Sequence, residues 1–221
     1  MIHCDQSGQL AADLAGLARL SLVNGMKVIQ VVPELSEPPV ALTIGNFDGV
    51  HRGHQAMILI LREAARRRNL PACVLTFEPH AKEFLHPQNA PTRLTDESEK
   101  ATLLEQFGVD RLYVCAFTGD MANMPAESFV NRVLVKQLSV RWLLVGDDFR
   151  FGSQRRGDLA MLREFGRSFG FEVETMPTLC LDRERVSSTA VREAWAQGDA
   201  AKVSALLGRP HLLTAEAGML T

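Results

Sequence analysis

The chain has 221 residues, 46% hydrophobic and 23% charged, a composition suited to one sizeable core. Its 24 Lys and Arg against 26 Asp and Glu leave a formal charge of −2, which argues against a nucleic-acid partner, and no apolar run is long enough to cross a bilayer. Cys4, Cys73, Cys115 and Cys180 form no Cys-x-x-Cys pair; Cys73 and Cys115 sit in strand-like apolar runs, as small buried hydrophobes in a reducing cytoplasm do.

In chain order, residues 1–25 read as an extension ahead of the folded unit. Leu10, Leu14, Leu17, Leu20 and Leu22 suit a short amphipathic helix that Asp13 and Arg19 interrupt, and Asp5 stands where a secretory signal is basic. The segment is helical, disordered, or the product of an upstream start codon. Met26 to Ile29 then opens a single domain over residues 26–210, and residues 211–221 read as a loose tail.

Val40 to Ile44 is a continuous apolar run ending at Gly45, the pattern of a strand buried on both faces. Residues 53–68 read as a helix with Met57, Leu59, Ile60, Leu61 and Ala64 apolar, closed by Arg66, Arg67 and Arg68 at the negative end of its dipole. Ala72 to Phe77 is the next strand, and Thr95 opens a helix that Gly108 stops. Arg111 to Ala116 is strand-like, Ala126 to Leu138 helical, and Trp142 to Val145 a strand ending in Gly146. A polar loop over residues 147–157 leads into a helix from Asp158. Phe171 to Thr175 is a further strand, and two short helices follow near Thr189–Gln197 and Asp199–Leu207. Strands alternating with helices give an α/β fold: a parallel sheet with helices on both faces.

Ligands of such sheets bind at the carboxyl ends of strands. The first strand-to-helix loop carries Gly45, Asn46, Phe47, Asp48, Gly49, His51, Gly53 and His54. Its glycines permit tight backbone geometry, so free N–H groups and a helix dipole face one point, which makes an anion site. His51 and His54 are one helical turn apart and can face that point, as donors to a phosphoryl-type transition state or as a metal pair. A zinc site would need a third ligand, for which His80 or Asp147 is available. Ser187, Ser188 and Thr189 precede another helix, where they cap it or bind phosphate oxygens, and Arg192 lies one turn in.

The residues Gly-x-Phe-Asp-Gly-x-His-x-Gly-His over 45–54 resemble the ATP-binding motif of the nucleotidylyltransferase superfamily. This form is similar to the FAD synthetase (FMN adenylyltransferase) domain of bacterial bifunctional riboflavin kinase/FAD synthetases. Three further segments resemble that domain in the same order: residues 76–80 (Thr-Phe-Glu-Pro-His), 145–152 (Val-Gly-Asp-Asp-Phe-Arg-Phe-Gly) and 185–192 (Arg-Val-Ser-Ser-Thr-Ala-Val-Arg). Arg93, Leu94, Thr95 and Lys100 are similar to the helix between the second and third. The likeness covers nearly all of residues 26–210.

The resemblance implies a Rossmann-like nucleotidylyltransferase domain that transfers an adenylyl group from ATP to FMN, with Mg²⁺, giving FAD and pyrophosphate. It implies catalytic His51, His54 and Arg192. It places ATP against Gly45, Asn46, Phe47, Asp48, Gly53, Gly146, Asp147, Arg185, Ser187, Ser188 and Thr189, and the flavin against Phe77, Pro79, His80, Asp148 and Phe151. No resident metal is implied, and oligomeric state is left open. Two departures stand out: Ala81 replaces the family's proline after His80, and His211 replaces a tyrosine at the interdomain junction Leu206 to Pro210. The chain ends there, so riboflavin kinase activity is expected to be absent. A weakly active flavin- or nucleotide-binding relative, or a nucleotidylyltransferase with another phosphorylated substrate, is the alternative.

Overall fold

The computed structural model describes residues 20–23, 25–30 and 37–210. The expected tail over 211–221 and most of the extension lie outside the described residues. The sheet has seven strands: β1 (Leu20–Val23), β2 (Met26–Ile29), β3 (Val40–Ile44), β4 (Ala72–Glu78), β5 (Arg111–Ala116), β6 (Val140–Gly146) and β7 (Glu172–Met176). Their spatial order is β1-β2-β5-β4-β3-β6-β7, with every neighbouring pair parallel except β1 against β2. The boundary expected at Met26 falls inside that antiparallel hairpin, where Val23 pairs with Met26. Leu20 and Leu22, two of the residues in the leucine pattern, belong to this edge strand.

The connecting helices are α1 (Arg52–Arg68), α2 (Ala81–Leu85), α3 (Glu97–Gln106), α4 (Ala126–Ser128, continued as a π-helix over Phe129–Gln137), α5 (Leu159–Phe169), α6 (Ser188–Ala196) and α7 (Ala200–Leu207). Asp96 caps α3, Asp158 caps α5 and Asp199 caps α7, each accepting from a backbone N–H three residues on. Of the apolar residues read on α1, Leu61 is buried, but Leu59 and Ile60 are exposed; Ile58 and Ala65 complete the buried stripe. The three closing arginines are surface residues. Arg66 and Arg67 pair with Glu63, and Arg68 pairs with Glu172 while stacking over the Trp142 ring.

All five residues of β3 are buried, as a central strand covered on both faces requires. Alternation along the strands divides the core. Val40, Leu42, Cys73, Leu75 and Leu143 pack against α4 and α5 through Val130, Leu134 and Leu162. Ala41, Val74, Leu112, Trp142 and Leu144 pack against α1 and α3 through Ile58, Leu61 and Leu104. A third cluster joins α6 to α7 through Val191, Ala194, Val203 and Leu207 and receives Leu94.

Strand order explains where a ligand sits. From β3 the chain winds outward through β4 and β5, then returns to lay β6 on the other side of β3. The direction of winding therefore reverses between β3 and β6, and their carboxyl ends open a crevice there. Gly45 and Gly146 stand at its two lips.

Candidate active site

After Gly45 the loop turns sharply. Phe47 (φ 50°), Gly49 (φ 78°) and Val50 (φ 37°) all adopt left-handed backbone. Such a conformation is costly for Val50 and persists because the surroundings fix it. Gly49 N–H donates to Thr95 Oγ1 (3.1 Å), Gln55 Nε2 donates to Val50 O (2.8 Å) and Leu207 O (2.7 Å), and Ser188 Oγ donates to Asp48 O (2.9 Å). The loop is thus clamped by α1, α6, α7 and the segment before α3.

His51 is the N-cap of α1, its Nδ1 accepting from His54 N–H at 3.3 Å. With Nδ1 an acceptor, the neutral imidazole carries its proton on Nε2 and donates there. The two rings stack with centroids 3.7 Å apart and planes 16° from parallel, and Phe47 lies 4.7 Å beyond His54. This stacking needs the bare Gly53 between them: a Cβ there would stand 3.1 Å from the His51 ring. Burial, assisted by Arg185 and Arg192, lowers the His51 pKa to about 4. Burial, with His51 and Lys100 adding repulsion, lowers that of His54 as well. Both rings are neutral at pH 7. His54 Nδ1 is shielded from solvent and has no hydrogen-bond partner, an arrangement that a ligand or water at the site would relieve.

The crevice above them is a cavity of about 200 Å³ lined by Gly45, Phe47, His51, Gly53, His54, Gly146, Asp147, Asp148, Arg185 and Ser187, with Met57, Phe149 and Thr178. Most of the residues expected to hold nucleotide therefore meet in one place. The volume is below that of a typical whole-ligand pocket, so a nucleotide there would lie partly across an open face. Asp147 accepts from Thr178 Oγ1 (3.2 Å), and Asp148 pairs with Arg185 (2.6 Å) at the cavity mouth. Ser187 caps α6, accepting from Ala190 N–H (3.1 Å), while Thr189 is exposed on its first turn.

Asp48 and Arg192 fall elsewhere. Together with His80, Glu78, Glu83, Arg93, Thr95 and Lys100 they line a second, small chamber of about 10 Å³, room for one water. There Asp48 pairs with Arg192, Lys100 with Glu78 (2.6 Å), and Arg93 bridges Glu78 (2.9 Å) and Glu83 (2.5 Å). Lys100 is buried, and this ion pair is what makes its burial tolerable. His80 caps α2 by accepting from Lys82 N–H (2.9 Å), and burial lowers its pKa. Of the two residues considered as a third zinc ligand, His80 faces this chamber, and Asp147 lines the histidine cavity but accepts from Thr178. Among the described residues no group of three or more His, Cys, Asp or Glu side chains could hold a metal ion.

Of the residues expected beside the flavin, Phe77 is partly exposed near the end of β4, and Pro79 follows Glu78 through a cis peptide bond. Phe151 is buried, its ring stacked on Phe149 and tilted against Phe129, and it is bridged to Gly157 by paired backbone hydrogen bonds. Two rings not anticipated stand closer to the surface. Phe117 lies edge-on to both Phe77 (5.9 Å) and Phe84 (5.7 Å), and Phe84 is 42% exposed. A phenylalanine four residues after His80 was the available sequence signal.

The family model for FAD synthetase matches residues 34–190. The chain is 44% identical over 192 residues to the bifunctional riboflavin kinase/FMN adenylyltransferase of Escherichia coli (strain K12), covering 86% of this chain and 61% of that protein. It is 49% identical over 168 residues to the protein of the same name from Pseudomonas fluorescens, covering 76% and 54%. Among solved structures, one described as a macrolide-efflux protein from Streptococcus pneumoniae superposes with a TM-score of 0.72 at 25% identity, covering 82% of this chain and 61% of that one. This chain belongs to the FAD synthetase family. It spans about 61% of the length of the Escherichia coli relative. No helix among the described residues is long and apolar enough to cross a membrane.

Proposed function

We propose that this domain transfers the adenylyl group of ATP to the phosphate of FMN, forming FAD and pyrophosphate. The observation that carries the reading is the stacked His51–His54 pair at the N-terminus of α1, set in the crevice between β3 and β6. The family's curated relatives bear the name of that activity.

In this reading a phosphate oxygen of FMN attacks the α-phosphorus of ATP in line. The bond from that phosphorus to its bridging oxygen breaks, and the electron pair leaves with pyrophosphate. No proton must be removed from an ionised phosphate nucleophile, so positioning and charge stabilisation supply the catalysis. His51 Nε2–H and the His54 ring face the triphosphate together with the N–H groups opening α1. Arg185 and Ser187 line the same cavity and take the remaining nucleotide contacts. The acceptor approaches from the Phe77–His80 side, where Phe84 and Phe117 offer rings for a flavin to cover.

Mg²⁺ would enter this site as an ion carried by ATP, beside Asp147, which accepts from Thr178, and Asp148, which pairs with Arg185. Bound to the phosphate oxygens it would neutralise part of their charge. We place the reaction in the cytoplasm, in keeping with the buried free thiols of Cys73 and Cys115.

The test is direct. Purified protein with FMN, ATP and Mg²⁺ should give FAD and pyrophosphate in equal amounts by chromatography. Binding of both substrates without FAD would instead mark a binding module, and turnover only with another phosphorylated acceptor would move the substrate class.

A further inference from the structure

The end of α7 reaches back to the loop that precedes α1. Gly208 closes the helix in left-handed backbone (φ 68°), and Arg209 follows it. Arg209 Nη1 donates to Gly49 O (2.9 Å) and Val50 O (3.4 Å), the carbonyls of two residues that are themselves left-handed. Gln55 Nε2 donates to the same Val50 O (2.8 Å) and to Leu207 O (2.7 Å). Two side chains, one from α1 and one from the end of α7, thus converge on one carbonyl. The other end of the guanidinium is poorly served. Nη2 is shielded from solvent without a hydrogen-bond partner, and Glu99 Oε1 stands 3.9 Å from it. A cation so loosely paired costs free energy to bury, so its contribution is directional rather than one of net attraction.

We propose that Arg209, together with Gln55, is a positioning residue for the histidine pair: it holds the Gly49 and Val50 carbonyls and so fixes the backbone turn that delivers His51 to the cap of α1. Val50 is β-branched and disfavours positive φ, so the turn persists only under outside restraint. The Val50 carbonyl and the His51 nitrogen share one rigid peptide plane, so holding the first sets where the second begins. His51 then caps α1 and lines the cavity beside His54. Arg209 is absent from that cavity's lining, and its role needs no contact with a ligand.

The role rests on the proposed function only where turnover is measured; the state of His51 is read without any ligand. Nitrogen-15 NMR should follow the histidine rings against pH in wild type, Arg209→Met, Arg209→Lys, Gln55→Leu and Val203→Ala, with FAD turnover at saturating FMN and MgATP alongside. In wild type His51 should titrate near pH 4. Arg209→Met should loosen the turn, admit water to the ring and move that titration up toward the ordinary value of about 6.5, while turnover falls about tenfold. Gln55→Leu changes no charge and should move both in the same direction. Arg209→Lys keeps a donor for the carbonyls and should recover most of the lost turnover. Val203→Ala opens the buried cluster between α6 and α7, and should lower the melting temperature while leaving His51 and turnover as in wild type. If His51 still titrates near pH 4 in Arg209→Met and Gln55→Leu, or if Val203→Ala shifts it as far, the inference is overturned. A shift in Arg209→Met alone would mark the loss of a charge rather than of a restraint, and would overturn it too. Should Arg209→Met fail to fold, Gln55→Leu compared with Val203→Ala decides. If wild type forms no FAD, the proposed reaction fails while the His51 titration still decides the role of Arg209.

Discussion

His51 and His54 form a stacked pair in which the first ring caps the helix that carries the second: His51 Nδ1 accepts the His54 backbone N–H at 3.3 Å, and the ring centroids lie 3.7 Å apart. Capping and the placing of both rings at the cavity are therefore tied together. The hydrogen bond that starts α1 also selects the tautomer that points Nε2–H outward.

Stability should fall as pH drops below about 6.5, the ordinary histidine value. The unfolded chain takes up protons on these histidines near pH 6.5, whereas the folded His51 does so only near pH 4, and His54 and His80 are lowered too. The contribution is complete above pH 6.5 and is lost as pH falls toward 4, amounting to about 3 kcal/mol for His51 alone. Urea unfolding at pH 7, 6 and 5 should show the decline, and His51→Gln should flatten it. A level profile across that range would show that the rings are not held neutral.

The buried pair Lys100–Glu78 should be sensitive to losing one partner. Lys100→Met strands a carboxylate that Arg93 only partly compensates, at a cost of about 2–4 kcal/mol in urea unfolding. Adding Glu78→Gln should recover part of the loss, since the unpaired charge is then gone. No recovery would mean that packing of the lysine stem, not its charge, matters there.

Much of the site was legible because it is local. The glycine–histidine loop, the Ser187 cap and the strand at Val40–Ile44 depend on residues close together in sequence. Asp48 shows where local reading stops: it reads as a nucleotide ligand, but its partners Leu94, Thr95 and Arg192 lie 46, 47 and 144 residues away. Phe151 likewise matches a flavin-side motif, and its burial against Phe129 and Phe149 depends on residues remote from that motif or packed within it. Leu20 and Leu22 fit a helical leucine pattern, and tertiary pairing with β2 makes them strand instead. Leu59 and Ile60 on α1 face outward because the helix buries a narrower stripe than its apolar content suggests.

Gly152 should tolerate no side chain. Its φ is +70°, and an added Cβ would stand 2.6 Å from the Ala126 Cα at the start of α4. Backbone cannot yield as a flexible side chain does, so Gly152→Ala should cost about 2–3 kcal/mol by denaturant titration. Since Phe149, just upstream, lines the cavity above the histidine pair, weaker binding of ATP under the proposed function should accompany the loss. An unchanged unfolding midpoint would show that the turn relaxes freely.

The most direct test of adenylyl transfer at the histidine pair is His54→Ala, with FAD formation at saturating FMN and MgATP measured beside MgATP affinity by calorimetry. His54 faces the cavity from the first turn of α1, and its donor would serve charge that grows in the transition state. Turnover should fall by about 10² to 10³, as removal of such a donor does elsewhere. MgATP affinity should change far less, because backbone N–H groups, Arg185 and Ser187 keep their places. Unchanged turnover, or a loss confined to affinity, would contradict a catalytic His54 and the mechanism built on it.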